Sequence, residues 1–219
     1  MALHSLEITA AAKYGGACAA SGPVGDKVAR LLEESRRCMA EVAEPSDPGA
    51  MPLTRLIGYV IDRHHVYARR QVAAIGALLA EFDGAHEKSH PGLARVRRIF
   101  KDLRQELLFH MEKEEVSIFP RVIRAEAAAG PDDAQAPPSQ SPVSDALRML
   151  LREHDGLCSL LDEMRAATND YSPPDVGCES YGTLYRALRE LEMDLLQHIH
   201  TEDRLLVPRA LGVEYHGRG

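Results

Sequence analysis

The sequence predicts an all-α fold, an up-down-up-down four-helix bundle with a short, partly helical N-terminal region, and three observations carry that prediction. Apolar residues recur at steps of three and four through four long segments. Aromatic residues make up only 5% of the chain and tryptophan is absent, which suits Leu/Ala-rich helices better than an aromatic-rich sheet. Stretches rich in Pro, Gly, Ser and Asp separate the periodic segments.

In chain order, residues 26–43 carry a first helical pattern, and Glu44 to Pro52, with Pro45, Pro48, Gly49 and Pro52, reads as a linker. The first long helix is expected at about 53–84, with the stripe Ile57, Ile61, His65, Ala68, Val72, Ile75, Leu79, Phe82. His86 to Gly92 breaks the pattern. The second helix, at about 92–128, carries Val96, Ile99, Leu103, Leu107, His110, Glu114, Ile118. A Pro/Ala-rich connector at 129–143 leads to the third helix, at about 143–169, with Leu147, Leu150, His154, Leu157, Leu161, Met164. After the loop Ser172 to Gly177, the fourth, at about 179–211, carries Leu184, Leu188, Leu191, Leu195, His198, Glu202, Leu205. Short connections make sequential helices antiparallel neighbours. Residues 53–211 form the bundle, and 1–45 form an appended cysteine-containing region.

At 219 residues the chain holds one sizeable core. A net charge of −7 argues against nucleic acid as a partner, because phosphate neutralisation needs clustered Lys and Arg. No apolar run approaches the roughly 18 residues of a membrane span. Met1 to Ala12 has no basic segment ahead of an apolar one, so no secretory signal is expected. Cys18, Cys38, Cys158 and Cys178 lack CxxC spacing and read as reduced thiols, which points to the cytoplasm.

One motif occurs twice: His-x-x-x-Glu, an apolar stretch, then Pro-Arg. It runs from His110 and Glu114 to Pro120 and Arg121, and from His198 and Glu202 to Pro208 and Arg209. His65 lies 45 residues before His110, and His154 lies 44 before His198. All six occupy apolar stripes. A single His-x-x-x-Glu on a helix is ordinarily a surface pair. Two matched copies with two matched partner histidines on core stripes reverse that reading. A buried ionised glutamate costs several kcal/mol unless paired or bound to metal, and neither stripe offers a Lys or Arg at the same depth.

The expected metal ligands are therefore His65, His110, Glu114, His154, His198 and Glu202, three from each sequential helix pair. Four imidazoles and two carboxylates suit iron better than manganese or zinc, and the absence of thiolates excludes an iron–sulfur or structural zinc site. Met111 and Ile199 follow the two histidines, so the H-E-x-x-H metalloprotease motif is not present. Two irons per chain are expected, oxo- or hydroxo-bridged. If both glutamates also bridge, each iron has about five donors and keeps a position open for a ligand such as O₂ or NO. His64 becomes the ligand in place of His65 only if the first helix is rotated. His86 lies about 30 Å beyond His65 along a straight helix and is expected behind the ligands or at the surface, reaching the centre only if the helix ends and folds back. His4, His90 and His216 are expected at the surface.

The segments His110 to Pro120, Glu153-His154-Asp155 and His198 to Leu211 closely resemble the hemerythrin-like domain, and more narrowly the bacterial di-iron repair-of-iron-centres family. That resemblance implies restoration of iron–sulfur clusters damaged by nitric oxide or oxidative stress, with damaged iron–sulfur proteins as partners. It also implies the same six ligands, with Glu114 and Glu202 bridging. The family usually begins with a small domain bearing Cys-Cys-Gly-Gly, and Lys13 to Gly22 looks like a degenerate version with Cys18 alone. A related subgroup lowers free NO by binding it, so an NO- or O₂-binding buffer or sensor is the alternative, and an NO- or peroxide-reducing enzyme a third. Oxygen-carrying hemerythrins place a further histidine one turn after the position of His154, where this chain has Cys158, which weakens the O₂-carrier reading. A homodimer is compatible with the sequence.

Overall fold

The computed structural model describes residues 23–82, 92–128, 142–173 and 179–212. Lys13 to Gly22 with Cys18, together with His4, His86, His90, Cys178, His216 and most of the 129–143 connector, lie outside the described residues.

A helix α1 (Pro23–Glu41) precedes four helical rods. The first is α2 (Leu53–Tyr59), a π-helical turn π1 (Val60–His65) and α3 (Val66–Glu81). The second is α4 (Gly92–Lys113), π2 (Glu114–Ile118) and α5 (Phe119–Ala128). The third is the uninterrupted α6 (Pro142–Ala167). The fourth is α7 (Glu179–Thr201), π3 (Glu202–Leu206) and α8 (Val207–Ala210). The all-α four-helix bundle expected from the periodicity is present, and the rod ends fall within a few residues of the expected ones.

Side-chain partners define the ends of the rods. Pro52, with φ −53 and ψ 145, leads into α2, whose first N–H groups are capped from the second rod. Leu53 N donates to Glu126 Oε1 at 2.6 Å, and Thr54 N and Oγ1 donate to Glu126 Oε2 at 2.8 and 2.6 Å. Arg209 donates to the carbonyls of Pro48 and Met51, which ties the linker to the end of the fourth rod. Arg63 donates to the carbonyls of Met39 and Val42 near the C-terminus of α1. At the end of α6, Asn169, Asp170 and Tyr171 all have positive φ (49, 55 and 57). Asn and Asp tolerate that region, and the buried Tyr171 ring offsets the cost at the third.

The pairing of rods departs from chain order. The first rod packs most closely on the fourth, α3 against α7, and the second on the third, α4 against α6. Across the first interface buried Gln71 Nε2 donates to Ala187 O at 3.0 Å. Helix α1 covers α3 and adds Val28 and Leu32 to the same core.

That core is split in two. The larger cluster runs from α1, α3 and α4 to Tyr181 and Ile199, and includes Ile75, Leu103, Leu161 and Leu191. The smaller is built from Leu56, Ile57, Val60, Ile118, Phe119, Leu150, Leu206 and Val207. Between them lies one layer of buried polar residues: His64, His65, His110, Glu114, His154, His198 and Glu202.

Burial acts to raise the Glu126 carboxyl, but its bonds from Thr54 and Leu53 outweigh burial and hold it below the ordinary value. Its capping stabilisation is therefore present above the unfolded value of about 4.3 and is lost as pH falls through the lower folded value. Glu126→Ala is expected to cost about 1 kcal/mol at pH 7. In urea titrations the gap between variant and wild type should close toward pH 3, and a gap unchanged with pH would refute the capping role.

Candidate metal centre

Each donor in the polar layer is delivered by one rod. His65 closes π1, His110 and Glu114 straddle the junction of α4 and π2, His154 sits in the middle of α6, and His198 and Glu202 straddle the junction of α7 and π3. The two prolines of the repeated motif help explain the π-turns. Pro120 and Pro208 have no N–H to continue an i→i−4 ladder. The turn just before each adopts five-residue spacing instead: Phe119 N–H bonds Glu114 O, and Val207 N–H bonds Glu202 O. In π1, which has no proline, Val66 N–H reaches back to Ile61 O. Each π-turn adds about one residue to the local register. In the first rod this puts both His64 and His65 inside, with Val60 fully buried and Ile61 only partly so. A uniform 3.6-residue period had placed Ile61 on the core stripe.

The six expected residues converge as two groups of four. One is His65, His198, Glu114 and Glu202; the other is His110, His154, Glu114 and Glu202. The three-and-three division expected from chain order is replaced by pairs from the rods that pack together, first with fourth and second with third. His65 Nε2 lies 3.2 Å from His198 Nε2, and His110 Nε2 lies 3.2 Å from His154 Nε2. Each carboxylate divides its oxygens between the groups. Glu114 Oε2 is 3.3 Å from His65 Nε2 and its Oε1 is 3.5 Å from His110 Nε2. Glu202 Oε1 is 3.1 Å from His198 Nε2 and its Oε2 is 3.0 Å from His154 Nε2. Donors about 2.1 Å from one ion in adjacent coordination positions sit roughly 3 Å apart, so the spacing suits two cations bridged by both carboxylates.

The arrangement makes poor sense as hydrogen bonding alone. All four oxygens of Glu114 and Glu202 are buried without a well-directed hydrogen bond, although ring nitrogens stand close by. The nitrogens face the oxygens as fellow donors around a shared point. Burial, then the charge of Glu202, pushes Glu114 well above the usual carboxylate range. Burial also acts to raise Glu202, but the adjacent His198 and His154 outweigh it and hold that carboxyl well below the range. Two buried carboxylates this close cannot both stay ionised without a cation, and the chemistry of the donor set fits a bridged metal pair.

The imidazoles are oriented from behind. His65 Nδ1 donates to Glu115 Oε1 at 2.7 Å, His110 Nδ1 to Glu153 Oε2 at 3.2 Å, and His154 Nδ1 to Asp203 Oδ1 at 2.6 Å. Carboxylates behind the ring fix the tautomer that leaves Nε2 free to bind metal and raise its basicity. Glu115 and Glu153 resist protonation: burial acts to raise each, but bonds from Arg69 and His65, and from Lys113 and His110, hold them low. Burial dominates at His65 and His110 and lowers them to about 3 and about 4. At His154 burial also acts downward, but the bond to Asp203 and the adjacent Glu202 carboxylate prevail and raise it to about 9. Periodicity overlooked these three carboxylates because a stripe credits one residue per turn. Their signal was adjacency: Glu114-Glu115, Glu153-His154, Glu202-Asp203.

Both apolar clusters shield the centre along the bundle axis. At the side, a groove of about 310 Å³ between α4 and α6 has Phe109, His110, Glu153 and Gly156 in its wall. Cys158 is partly buried against the larger cluster, and its thiol is pushed up by burial and then by Asp203, Asp155 and Asp162, which makes it a poor nucleophile.

Comparison with known proteins agrees with this geometry. A family model described as the hemerythrin HHE cation-binding domain matches residues 56–210. The chain belongs to that family. Among curated relatives, an iron–sulfur cluster repair protein YtfE of Yersinia pestis (strain Pestoides F) is 29% identical over 160 residues, covering 73% of this chain and 66% of the relative. The YtfE protein of Yersinia pseudotuberculosis serotype O:1b (strain IP 31758) matches with the same identity and coverage. The match thus spans just under two thirds of these relatives' length.

Saturation with ferrous iron at about 100 times its Kd should stabilise the fold by about 2.7 kcal/mol for each ion bound, an upward shift in Tm on the order of 5–10 °C per ion that a chelator reverses. No shift would show that the buried donors do not take up the ion. Glu114→Ala and Glu202→Ala should each abolish most of the bound metal, measured by elemental analysis of purified protein. Full metal content in the double variant would rule out both carboxylates as bridges.

Proposed function

We propose that this protein holds two iron ions between its four histidines and two bridging glutamates, and that it takes part in repairing iron–sulfur clusters damaged by nitric oxide or oxidative stress. The observation that carries this reading is the way Glu114 and Glu202 each turn one oxygen to each histidine pair. The choice of iron rests on the nitrogen- and oxygen-rich, thiolate-free donor set and on the family. The choice of repair rests on the names of the relatives. Residues 53–211 are read as the iron-holding unit, with residues 1–45 appended to it and the whole acting in the cytoplasm on damaged iron–sulfur proteins.

In this reading the chain's own groups have distinct tasks. The four Nε2 atoms and four carboxylate oxygens hold the ions. Glu115, Glu153 and Asp203 keep the imidazoles in the binding tautomer, and the two apolar clusters exclude water along the axis. Bound iron supplies transferable ions and a coordination position for a small ligand. No helix among the described residues is long and apolar enough to cross a membrane.

The test is recovery of a damaged enzyme. An iron–sulfur enzyme inactivated by NO is mixed with the iron-loaded protein, and its activity followed over time. Recovery is expected with the loaded wild type and not with the iron-depleted protein or Glu202→Ala. Failure to recover, together with tight NO binding by the reduced protein, would replace repair by NO buffering.

A further inference from the structure

The four imidazoles are not braced alike. In the His110–His154 half, each ring has its own carboxylate, Glu153 or Asp203. In the His65–His198 half, only His65 has one, Glu115, which also accepts from Arg69 just as Glu153 also accepts from Lys113. Among the described residues His198 Nδ1, which is buried, has no hydrogen-bond partner. A ring stack supports it instead: His64 lies parallel to His198, with centroids 5.5 Å apart and planes 5° from parallel. His64 is held there by its Nδ1, which donates to Asp194 Oδ1 at 2.8 Å, and by Tyr59, whose ring meets it edge-on at 5.7 Å. His64 and Asp194 are both almost fully buried, and Asp194 lies one turn before His198 on α7.

A stack restrains the plane of a ring but donates no electron density through it. A carboxylate on Nδ1 does both, and losing such a partner typically weakens metal binding roughly 10- to 100-fold. We propose that the two ion positions are unequal. The position between His65 and His198 is the weaker one that releases its ion first, and His64 with Asp194 is the positioning pair that supports His198 there. The inference rests on the reading that this centre holds iron, and it identifies which half of the centre would release it to a damaged cluster.

Anaerobic titration with ferrous iron, and removal by a competing chelator, should each resolve two steps separated by roughly 10-fold or more. The halves are assigned by substitution. Glu153→Gln, at a partly exposed position, should weaken the tight step and narrow the gap. His64→Gln keeps a donor for Asp194 but removes the stack; it should weaken the loose step alone and perturb the spectrum of one iron. His64→Phe, which restores a ring, should recover part of that loss. Two ions bound and released in a single step by the wild type would overturn the inequality. So would Glu153→Gln weakening the loose step, an arm that stands even if the His64 variants fail to fold. A wild type that takes up no iron would overturn the iron reading and this inference with it.

Discussion

The rest of the structure depends on the burial of two carboxylates, Glu114 and Glu202, in the middle of an apolar bundle. Each ionised carboxylate taken out of water costs several kcal/mol, and two facing each other cost more. Among the described residues no Lys or Arg forms an ion pair with either. Four imidazole nitrogens approach them, at 3.0 to 3.5 Å, three of them on rings held from behind by a hydrogen bond at Nδ1 and the fourth, on His198, held by the stacked His64 ring. A bound cation neutralises such a cavity, and the donor set of the layer fits one.

That requirement accounts for features that would otherwise look like defects. Three of the four rods abandon α-helical spacing at the polar layer, where π-turns begin or end on His65, Glu114 and Glu202. A π-turn widens the helix locally and changes which neighbours face inward, so a histidine and a glutamate one turn apart aim at a common point while the apolar stripe resumes beyond them. The division of the core into two clusters has the same origin: apolar packing stops on either side of the layer and seals it along the axis.

The centre is also built from rods that are distant in sequence. His65 meets His198 and His110 meets His154, because the first rod packs on the fourth and the second on the third. The carboxylates alone join the halves, one from the second rod and one from the fourth. Removing either therefore disturbs both groups of donors, whereas removing an imidazole disturbs one. The supports at the periphery, Glu126 bonded to the start of α2, Arg209 to the linker and Arg63 to the end of α1, hold the ends of these rods in place without touching the donors.

The sequence by itself determined the approximate extent of the four rods and the six side chains that converge between them. Apolar periodicity and Pro/Gly punctuation are local properties, and a charged residue on an apolar stripe is conspicuous wherever the stripe packs. It also carried the family, through the repeated His-x-x-x-Glu and its proline. Only the tertiary structure decided the rest. Which histidines share an ion follows from helix pairing, which no local pattern encodes. The inward turn of His64 follows from a one-residue shift at π1, where no proline marks the change and a uniform helical period places Ile61 rather than Val60 in the core. Glu115, Glu153, Asp203 and Asp194 read as ordinary surface charges until neighbouring rods bring a ring nitrogen to each. Their role depends on contacts between residues up to 130 positions apart, and such contacts exist only once the bundle has closed.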